Sequence, residues 1–363
     1  MPGAMISADD HVDLPYVPAT VWTDRLPAAL AAEGPRVVDT ADGPFWEWEG
    51  ERRSAHGRKI GLIDSFARAG LAGEPETGVF RPTSAKYRLQ DMDNDGIQAQ
   101  ILFPPVGGMK FRDAQLDLAC LSAFNDWFIG DFTAQAPDRL IAVPSLPQHS
   151  LETAQAELRR VMALGARAVL FDPWAGPHTP FDRYWDPLWS EIEEAGLVLQ
   201  FHIGFGLHSL KSELFTWQTP AFTSVIHMQF DEMIPGLIFS EMLERHPNLR
   251  IVLAECGIGW VPYVLEMMDF MQNEWSNFYE SKLTMKASDY FRRQMYVTFE
   301  AEKVGVRLIP DIGEDNVMWA SDYPHGISTF PNSRTVVDEM FADSPAGIKE
   351  KVTRDNAARL YNL

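Results

Sequence analysis

The chain has 363 residues, of which 46% are hydrophobic and 23% charged, a composition that excludes a disordered chain or a disulfide-rich scaffold. It carries 31 Lys and Arg residues against 51 Asp and Glu residues, and the net charge of −20 argues against a general role in binding nucleic acid or anionic membranes. Its two cysteines, Cys120 and Cys256, lie far apart, and no apolar run approaches the roughly 20 residues of a membrane span.

Short apolar runs alternate along the chain with segments of helical spacing. Runs that are apolar on both faces are typical of parallel strands buried under helices. The predicted strands are residues 6–8, 97–103, 140–143, 166–171, 197–201, 251–254, 295–299 and 317–320. The predicted helices include residues 118–135, 150–164 (with Ser150 as N-cap), 185–195, 239–245 and 261–279. This alternation predicts one domain, a (β/α)8 TIM barrel, with a doubly wound open sheet as the structural alternative.

Residues 35–87 break this alternation. The stretch is rich in Gly, Pro and charge, and it contains an aromatic cluster at Phe45, Trp46 and Trp48. We interpret it as an insertion after the first strand, on the face of a barrel where sites are built, and therefore as a lid or a dimer contact. The partners we expect are a second copy of the chain and a small organic substrate.

Titratable side chains follow six of the predicted strands. In a barrel these side chains would converge on one small volume, where uncompensated carboxylates cost several kcal/mol each. A divalent cation resolves that conflict, and mixed His and carboxylate ligands suit Zn²⁺, Mn²⁺ or Fe²⁺. The residues are Asp9, Asp10 and His11 after the first strand, Asp172, His202, Glu255 and Glu300 after the fourth to seventh, and Asp322 and His325 after the eighth.

The spacing at the first strand indicates which residues could share one ion. Residues two apart in a strand point to the same face, so Asp9 and His11 can reach one cation while Asp10 points elsewhere. An isolated Asp-x-His pair is more often a surface feature or a helix cap. Together with His202 and Asp322 at other strand ends, however, the pair predicts a metal site.

Five segments of the sequence resemble the amidohydrolase superfamily, and most closely its branch of aminocarboxymuconate-semialdehyde decarboxylase and related aromatic-acid decarboxylases. They are ISADDHVDLP, LVLQFHIG, IVLAECGIGWVP, VMWASDYPH and DNAARLY. Because they are distributed from the first predicted strand to the last helix, the resemblance covers nearly the whole chain, and residues 35–87 are its least similar part. The resemblance implies a TIM barrel of the metal-dependent hydrolase type, with Asp9, His11, His202 and Asp322 as metal ligands. The first motif of the family is often His-x-His, and here Asp9 takes its leading position.

The chain departs from the resemblance at its sixth strand, where the decarboxylases place a catalytic histidine and this sequence has Glu255. Glu255 could be a general acid or base beside the metal site. It could also ligate a second metal together with Asp172 or Glu300. The third alternative is a structural carboxylate paired with Arg250 or Arg292.

Other residues have a functional and a structural interpretation. His325 could contact substrate or transfer a proton, or it could be a structural loop residue, and His178 could line the pocket or lie in solvent. Arg88 could bind a substrate carboxylate, although an ion pair with Asp91 or Asp95 is the simpler interpretation. Aromatic residues that could line a pocket, or simply fill the core, are Trp174, Phe205, Trp217 and Trp260.

The predicted activity is hydrolysis of an amide, ester, lactone or thioester of a small organic acid by metal-activated water. Glu255 or His325 would move the proton, and Asp322 would share the base role while ligating the metal. The alternative is non-oxidative decarboxylation of an aromatic or unsaturated acid, and hydration of such an acid would need similar groups. A glutamate in place of the family's histidine favours hydrolysis.

The sequence also gives an expectation for the cofactor. We expect one zinc ion, with manganese or iron as alternatives and a second ion if Glu255 is a ligand.

Other activities and the cellular location can be considered from the same sequence. The sequence has no GxGxxG, GxxxxGK[ST] or GxSxG motif, which argues against nucleotide-dependent chemistry and serine hydrolysis. A barrel that serves only as a scaffold would not be expected to keep four ligand candidates. We expect a cytoplasmic protein, because the N-terminal residues do not resemble a signal peptide.

Overall fold

The eight strands of the barrel follow the predicted order along the chain. The computed structural model describes residues 4–55, 76, 78–105, 109–204 and 216–363. In chain order the strands are β1 (Met5–His11), β2 (Arg36–Thr40), β3 (Gly43–Trp48), β4 (Glu51–Ser54), β5 (Ile97–Phe103), β6 (Leu140–Ala142), β7 (Ala168–Leu170), β8 (Val198–His202), β9 (Arg250–Ala254), β10 (Met295–Phe299) and β11 (Val317–Trp319). The predicted apolar runs therefore correspond to β1 and to β5 through β11.

These eight strands are parallel and close into a ring. Hydrogen-bonded ladders join β1, β5 and β6, and a second set joins β7 through β11 in sequence order. A parallel bridge between Ser145 and Leu170 connects β6 to β7. At the other junction, the His11 N–H donates to the carbonyl of Tyr323, which follows β11, at 2.7 Å. The predicted (β/α)8 barrel is confirmed, and the open-sheet alternative is wrong.

Helices connect the strands. They are α1 (Thr20–Thr23), α2 (Ala85–Asp95), α3 (Ala114–Asp126), α4 (Leu151–Ala163), α5 (Asp186–Glu194), α6 (Gln218–Thr223), α7 (Met233–Phe239), α8 (Met242–Arg245), α9 (Val261–Glu274), α10 (Ala287–Gln294), α11 (Lys303–Ile312), α12 (Ser333–Met340), α13 (Ile348–Glu350) and α14 (Asn356–Tyr361). Short 3₁₀ or π turns cover Leu14–Tyr16, Arg81–Thr83, Trp127–Phe132, Thr133–Gln135, Arg183–Trp185, Ile226–Met228 and Lys351–Asp355. Within the described part of the chain, every helix is too short or too polar to cross a bilayer.

Helix α4 begins as predicted, whereas three other predicted helices differ. The predicted helix 118–135 begins earlier, at Ala114, and its last part consists of a π turn and a 3₁₀ turn. The Ser150 Oγ accepts from the Thr153 N–H at 3.2 Å, which confirms the N-cap. The predicted helix 239–245 is divided into α7 and α8, because Glu241 adopts a left-handed conformation with φ of 64°. The predicted helix 261–279 ends at Glu274, and beyond it Phe278 is 75% exposed, so little packing is available to hold another turn.

The insertion contains an antiparallel sheet of β2, β3 and β4, which the sequence did not predict. A two-residue turn joins β3 to β4, with φ of 45° at Glu49 and 81° at Gly50, as expected for a type I′ hairpin. Trp46 and Trp48 of the aromatic cluster are buried. The Trp48 Nε1–H donates to the carbonyl of Lys110 at 3.0 Å, so the sheet is fixed to the loop that follows β5. The single-domain organisation and the lid or dimer role of this insertion stay predictions.

Candidate metal centre

The four predicted ligands converge at the carboxyl ends of β1, β8 and β11. The His11 Nε2 lies 3.4 Å from Asp9 Oδ1 and 3.4 Å from Asp322 Oδ1. The His202 Nε2 lies 3.4 Å from the same oxygen of Asp9. Ligand atoms of a tetrahedral ion with bonds of about 2.1 Å lie about 3.4 Å from one another. The observed separations therefore fit a divalent cation between these side chains.

Hydrogen bonding gives a second test of the fit. The Asp9 Oδ1 and the Nε2 atoms of His11 and His202 are buried and have no hydrogen-bond partner among the described residues. Such unsatisfied groups cost about 1–3 kcal/mol each, and a coordinated cation would remove that cost. The His202 Nδ1 lies 2.6 Å from the carbonyl of Ile203, which places the ring proton on Nδ1 and leaves Nε2 free to ligate.

The carboxylates and imidazoles of the site stabilise one another's charged forms. Burial opposes ionisation of Asp9, but His202 and His11 hold the pKa of its carboxyl well below its usual range. Burial likewise disfavours the charged form of His11, yet the adjacent carboxylates of Asp322 and Asp9 raise the pKa of its imidazole to about 10. The two carboxylates thus favour a positive charge between them, at the His11 imidazole. A metal ion would replace the proton on His11.

Glu255 stands beside this cluster in a strained backbone conformation. Its φ is 55°, a left-handed value that is rare outside glycine, and its Oε2 lies 3.4 Å from the His202 Nε2. The Glu255 N–H donates to Thr298 Oγ1 at 2.7 Å, and the His227 Nδ1 lies 2.9 Å from the Glu255 carbonyl. Burial, followed by the charge of Asp322, raises the pKa of the Glu255 carboxyl. Both effects shift the carboxyl of Glu255 towards its neutral form.

The predicted alternatives for Glu255 have different outcomes. Arg292 donates to Ser288 Oγ and the carbonyl of Asp311, and no described arginine forms a salt bridge with Glu255, so the arginine pairing is wrong. Glu300 is half-buried nearby with its Oε1 shielded from solvent, and desolvation followed by the charge of Glu255 raises the pKa of its carboxyl well above its usual range. A second metal with Glu255 as ligand stays a prediction.

His325 completes the site from the loop after β11. Its Nδ1 lies 2.7 Å from Asp322 Oδ1, its Nε2 lies 3.3 Å from Asp13 Oδ1, and its ring stacks on His11 at a centroid distance of 4.2 Å. Burial lowers the pKa of this imidazole, but Asp322 and Asp13 raise it to well above its usual range. His325 therefore places a positive charge next to the predicted ligands.

A cavity of about 700 Å³ opens next to His202. Asp172, at the carboxyl end of β7, contributes to its wall, and burial raises the pKa of this carboxyl. Polar residues on the wall include Lys110, Gln148 and His149. Its apolar residues include Trp22, Met109, Phe111, Leu121, Phe124 and Trp174. The wall therefore combines apolar side chains with many polar ones, which also include Asp117, Asn125 and Ser145.

Arg88 lies behind the site rather than in it. It is fully buried and donates to the carbonyls of His11 at 2.8 Å and Pro82 at 2.9 Å, and to Gln100 Oε1 at 2.6 Å. The expected ion pair is also wrong, because Asp91 pairs with Arg81, and Asp95 accepts hydrogen bonds from Ser333. Arg88 fixes the backbone of a predicted ligand, and the structure gives it no place on the cavity wall.

Two other candidates have local partners away from the cluster. The His178 Nδ1 lies 3.0 Å from Asp182 Oδ2 in a loop after β7, and its side chain is 38% exposed. The Trp260 Nε1–H donates to the carbonyl of Cys256 at 2.8 Å and packs against the core. Their predicted roles in substrate contact stay predictions. Phe205 lies outside the described residues.

Sequence reasoning missed Asp13, Thr298 and most of the residues that line the cavity, although it did name Asp172 and Trp174. Asp13 follows His11 by two positions, so the same spacing that selected Asp9 and His11 could have identified it. The Thr298 hydroxyl contacts the Glu255 N–H and lies 3.4 Å from Asp9 Oδ2. An isolated threonine inside an apolar strand carries no signal that would have selected it.

Comparison with known proteins identifies a family model and enzymes that are similar to this chain. A family model described as amidohydrolase matches residues 27–363. Gamma-resorcylate decarboxylase of Rhodococcus jostii is 28% identical over 308 residues, which cover 76% of this chain and 87% of that enzyme.

Solved structures agree on the fold. An amidohydrolase from Mycobacterium avium subsp. paratuberculosis superposes with a TM-score of 0.76 at 19% identity, covering 100% of this chain and 99% of that chain. A dihydroxybenzoic acid decarboxylase from Polaromonas, with bound manganese and an inhibitor, gives a TM-score of 0.66 at 17% identity, covering 99% and 97%. These similarities independently support the barrel topology.

Proposed function

This chain belongs to the amidohydrolase family, and on that premise we propose that it is a metal-dependent decarboxylase of a phenolic carboxylic acid. The observation that carries the proposal is the similarity to gamma-resorcylate decarboxylase over 87% of that enzyme's length. It favours decarboxylation over the hydrolysis that Glu255 suggested from the sequence alone. Hydrolysis becomes the second candidate, supported by a carboxyl group beside the metal site.

The residues that would hold the metal are Asp9, His11, His202 and Asp322. When bound, the ion supplies positive charge that orients the substrate carboxylate and stabilises negative charge developing on the substrate. Their imidazole and carboxylate donors suit zinc, our first prediction, and equally manganese, which the structurally similar dihydroxybenzoic acid decarboxylase holds. Iron remains a third candidate on the same donor chemistry.

Decarboxylation replaces a carboxylate on carbon by a proton, so the site needs a proton donor. We assign this role to Glu255, whose side chain is 13% exposed and whose carboxyl has a raised pKa. Its proton passes to the ring carbon that bears the carboxylate. The carbon–carbon bond then breaks, its electron pair restores the aromatic ring, and carbon dioxide leaves. Solvent returns a proton to Glu255, so that one proton is consumed for each carbon dioxide released.

His325 would orient the substrate during this reaction. Asp322 and Asp13 hold its imidazole on both nitrogens, so the ring is fixed and positively charged. A cation in this position attracts the phenolic oxygen or the carboxylate of the substrate. The two carboxylates also keep the His325 proton from being lost, which leaves the proton transfer to Glu255.

The experiment is product analysis with purified protein reconstituted with manganese or with zinc. We expect release of carbon dioxide from hydroxybenzoates and formation of the corresponding phenol. Esters, lactones and thioesters form the parallel panel for hydrolysis. Hydrolysis of any of these without carbon dioxide release from any acid would overturn the proposal in favour of the second candidate.

We also propose a cytoplasmic location, which the two cysteines support, because both are free thiols in the structure. The homodimer expected from the sequence stays a prediction. Size-exclusion chromatography with light scattering measures it directly.

A further inference from the structure

The backbone of Glu255 is held on both sides by side chains from other parts of the barrel. Its φ of 55° lies in the left-handed region, where a residue with a Cβ stays only if its surroundings enforce it. Thr298 of β10 accepts its N–H at 2.7 Å. On the other side, the His227 Nδ1 lies 2.9 Å from its carbonyl oxygen. Because a carbonyl oxygen only accepts, the imidazole donates this hydrogen bond from Nδ1.

A glycine in the turn after β9 leaves room for His227. Gly257 follows Glu255 by two positions and has a φ of 60°. A Cβ at this position would lie 3.3 Å from the His227 Cβ and 3.4 Å from Glu302 Oε2. Any other residue would therefore crowd the histidine and would also be strained in its backbone. The turn and His227 fit each other closely.

The remainder of this turn has its own hydrogen bonds. The N–H groups of Ile258 and Gly259 donate to the carboxylate of Glu302 at 2.7 and 2.6 Å. The Trp260 Nε1–H donates to the Cys256 carbonyl at 2.8 Å. These bonds fix the end of the turn, where α9 begins, but they do not involve the peptide groups of Glu255. The hydrogen bond from His227 is therefore a separate restraint on the residue beside the metal site.

His227 is itself anchored near the end of β8. It lies in the 3₁₀ turn Ile226–Met228, between β8 and α7. The next residue but one, Gln229, is buried, and its Oε1 accepts from the Gly204 N–H at 2.8 Å. Gly204 follows the predicted ligand His202 by two positions. This turn is thus connected to the strand that carries a predicted ligand, and its histidine reaches across to β9.

We propose that His227 is a positioning residue, which holds Glu255 in the left-handed conformation that keeps its carboxyl beside the His202 Nε2, at 3.4 Å. The part of Glu255 as proton donor rests on the proposed function. Without this hydrogen bond the peptide group after Glu255 can rotate, and the backbone relaxes towards a conformation that L-residues prefer. The carboxyl then turns away from the site. His227 acts through Glu255 and transfers no proton itself.

Two substitutions separate the hydrogen bond from the bulk of the ring. His227→Phe keeps a ring and removes the donor, whereas His227→Asn keeps a side-chain N–H that can take the place of Nδ1. With manganese-reconstituted protein and a hydroxybenzoate, we expect kcat to fall about 10- to 100-fold in His227→Phe, with KM and metal content within about twofold. His227→Asn should recover most of this loss. Met228→Phe, at a 40% exposed position of the same turn, is the control.

A double-mutant cycle tests whether His227 acts through Glu255. When Glu255→Gln has already removed the acidic proton, His227→Phe should lower kcat by less than about twofold further. An equal fold-loss in both backgrounds would overturn the inference, since the two residues would then act independently. An unchanged kcat in His227→Phe would overturn it as well. A folded, metal-loaded His227→Asn that is as slow as His227→Phe would also contradict it, because the imidazole itself would be required.

Crystal structures of the variants test the geometry without any reaction. We expect Glu255 to keep its left-handed φ and its place beside His202 in His227→Asn, and to lose both in His227→Phe. If no acid releases carbon dioxide but the structures differ in this way, the proposed function fails and the positioning role stands. An unmoved Glu255 in His227→Phe overturns the positioning role and leaves the proposed function intact. His227→Ala replaces His227→Phe in each measurement if the latter does not fold.

Discussion

The His202 Nε2 lies 3.4 Å from the Glu255 Oε2, so a carboxyl group stands beside a predicted metal ligand where the family resemblance implies a catalytic histidine. Glu255 lies in a left-handed conformation at the end of β9, and Asp322 lies in another after β11, with φ of 59°. Backbone strain of this kind costs about 1–3 kcal/mol per residue and persists where the surroundings enforce it. Both carboxylates are thereby turned towards one point.

Glu255→Gln separates the roles of proton donor and metal ligand. The amide keeps the size of the side chain but has no acidic proton, so we expect decarboxylation to slow about 10²–10⁴-fold, with an unchanged metal content. Steady-state kinetics and elemental analysis of the same preparation measure both quantities. Glu274→Gln, at the exposed end of α9, is the control. A variant that loses metal together with activity would make Glu255 a ligand instead.

His202→Ala and Asp322→Asn test the predicted ligand set. Each removes one donor from a cluster whose other donors stay in place, so we expect the bound metal to fall from about one equivalent to a small fraction of it. Elemental analysis after gel filtration measures this, and thermal unfolding with added manganese should show a smaller rise of the midpoint than in the parent protein. His178→Ala removes an exposed histidine as control. Unchanged metal content in both variants would remove the proposed centre.

The sequence predicted the barrel well because its strands are short and apolar on both faces. This pattern can be recognised from consecutive residues alone, without knowledge of tertiary contacts. The sequence also selected Asp9, His11, His202 and Asp322, which lie together in the structure, because positions at strand ends depend only on where each apolar run stops. The β2–β3–β4 sheet was missed because its strands are half-exposed and lie in a stretch rich in Gly and charge.

The cavity could not be predicted for a different reason. Its wall combines residues from α1, the loop after β5, α3 and the loop after β7, and their meeting depends on tertiary packing rather than on spacing in the chain. Arg88 illustrates the same limit. Its neighbours in sequence suggested an ion pair, whereas in the folded chain it binds the carbonyl of His11, across the layer between α2 and β1.

Thr298→Val tests how the left-handed backbone of Glu255 is held. The change keeps the shape of the side chain but removes the hydroxyl that accepts from the Glu255 N–H at 2.7 Å. Leaving that amide without an acceptor should lower the free energy of unfolding by about 1–3 kcal/mol. Urea unfolding measures the loss, and Thr298→Ser, which keeps the hydroxyl, should recover most of it. Equal stability of the two variants would show that other contacts hold Glu255.

Arg88→Met should be among the most destabilising substitutions in the chain. It removes the donors to the His11 and Pro82 carbonyls and the positive charge beside the buried Asp10, whose pKa burial already raises to about 7. Breaking a buried charge arrangement of this kind costs about 3–5 kcal/mol. Arg159→Met breaks an exposed pair with Glu191 and should cost less than about 1 kcal/mol. Urea unfolding curves that place the two variants together would contradict the structural role of Arg88.

Both cysteines should be inert towards thiol reagents in the folded protein. Burial raises the pKa of the Cys120 thiol to about 12 and that of Cys256 well above its usual range, so at pH 8 both are neutral thiols and poor nucleophiles. A disulfide reagent that releases a coloured thiolate should therefore report almost no reaction at pH 8 and about two thiols per chain once urea is added. Cys120→Ser separates the two signals. Fast reaction of Cys120 in the native protein would mean that the cavity wall formed by α3 opens in solution.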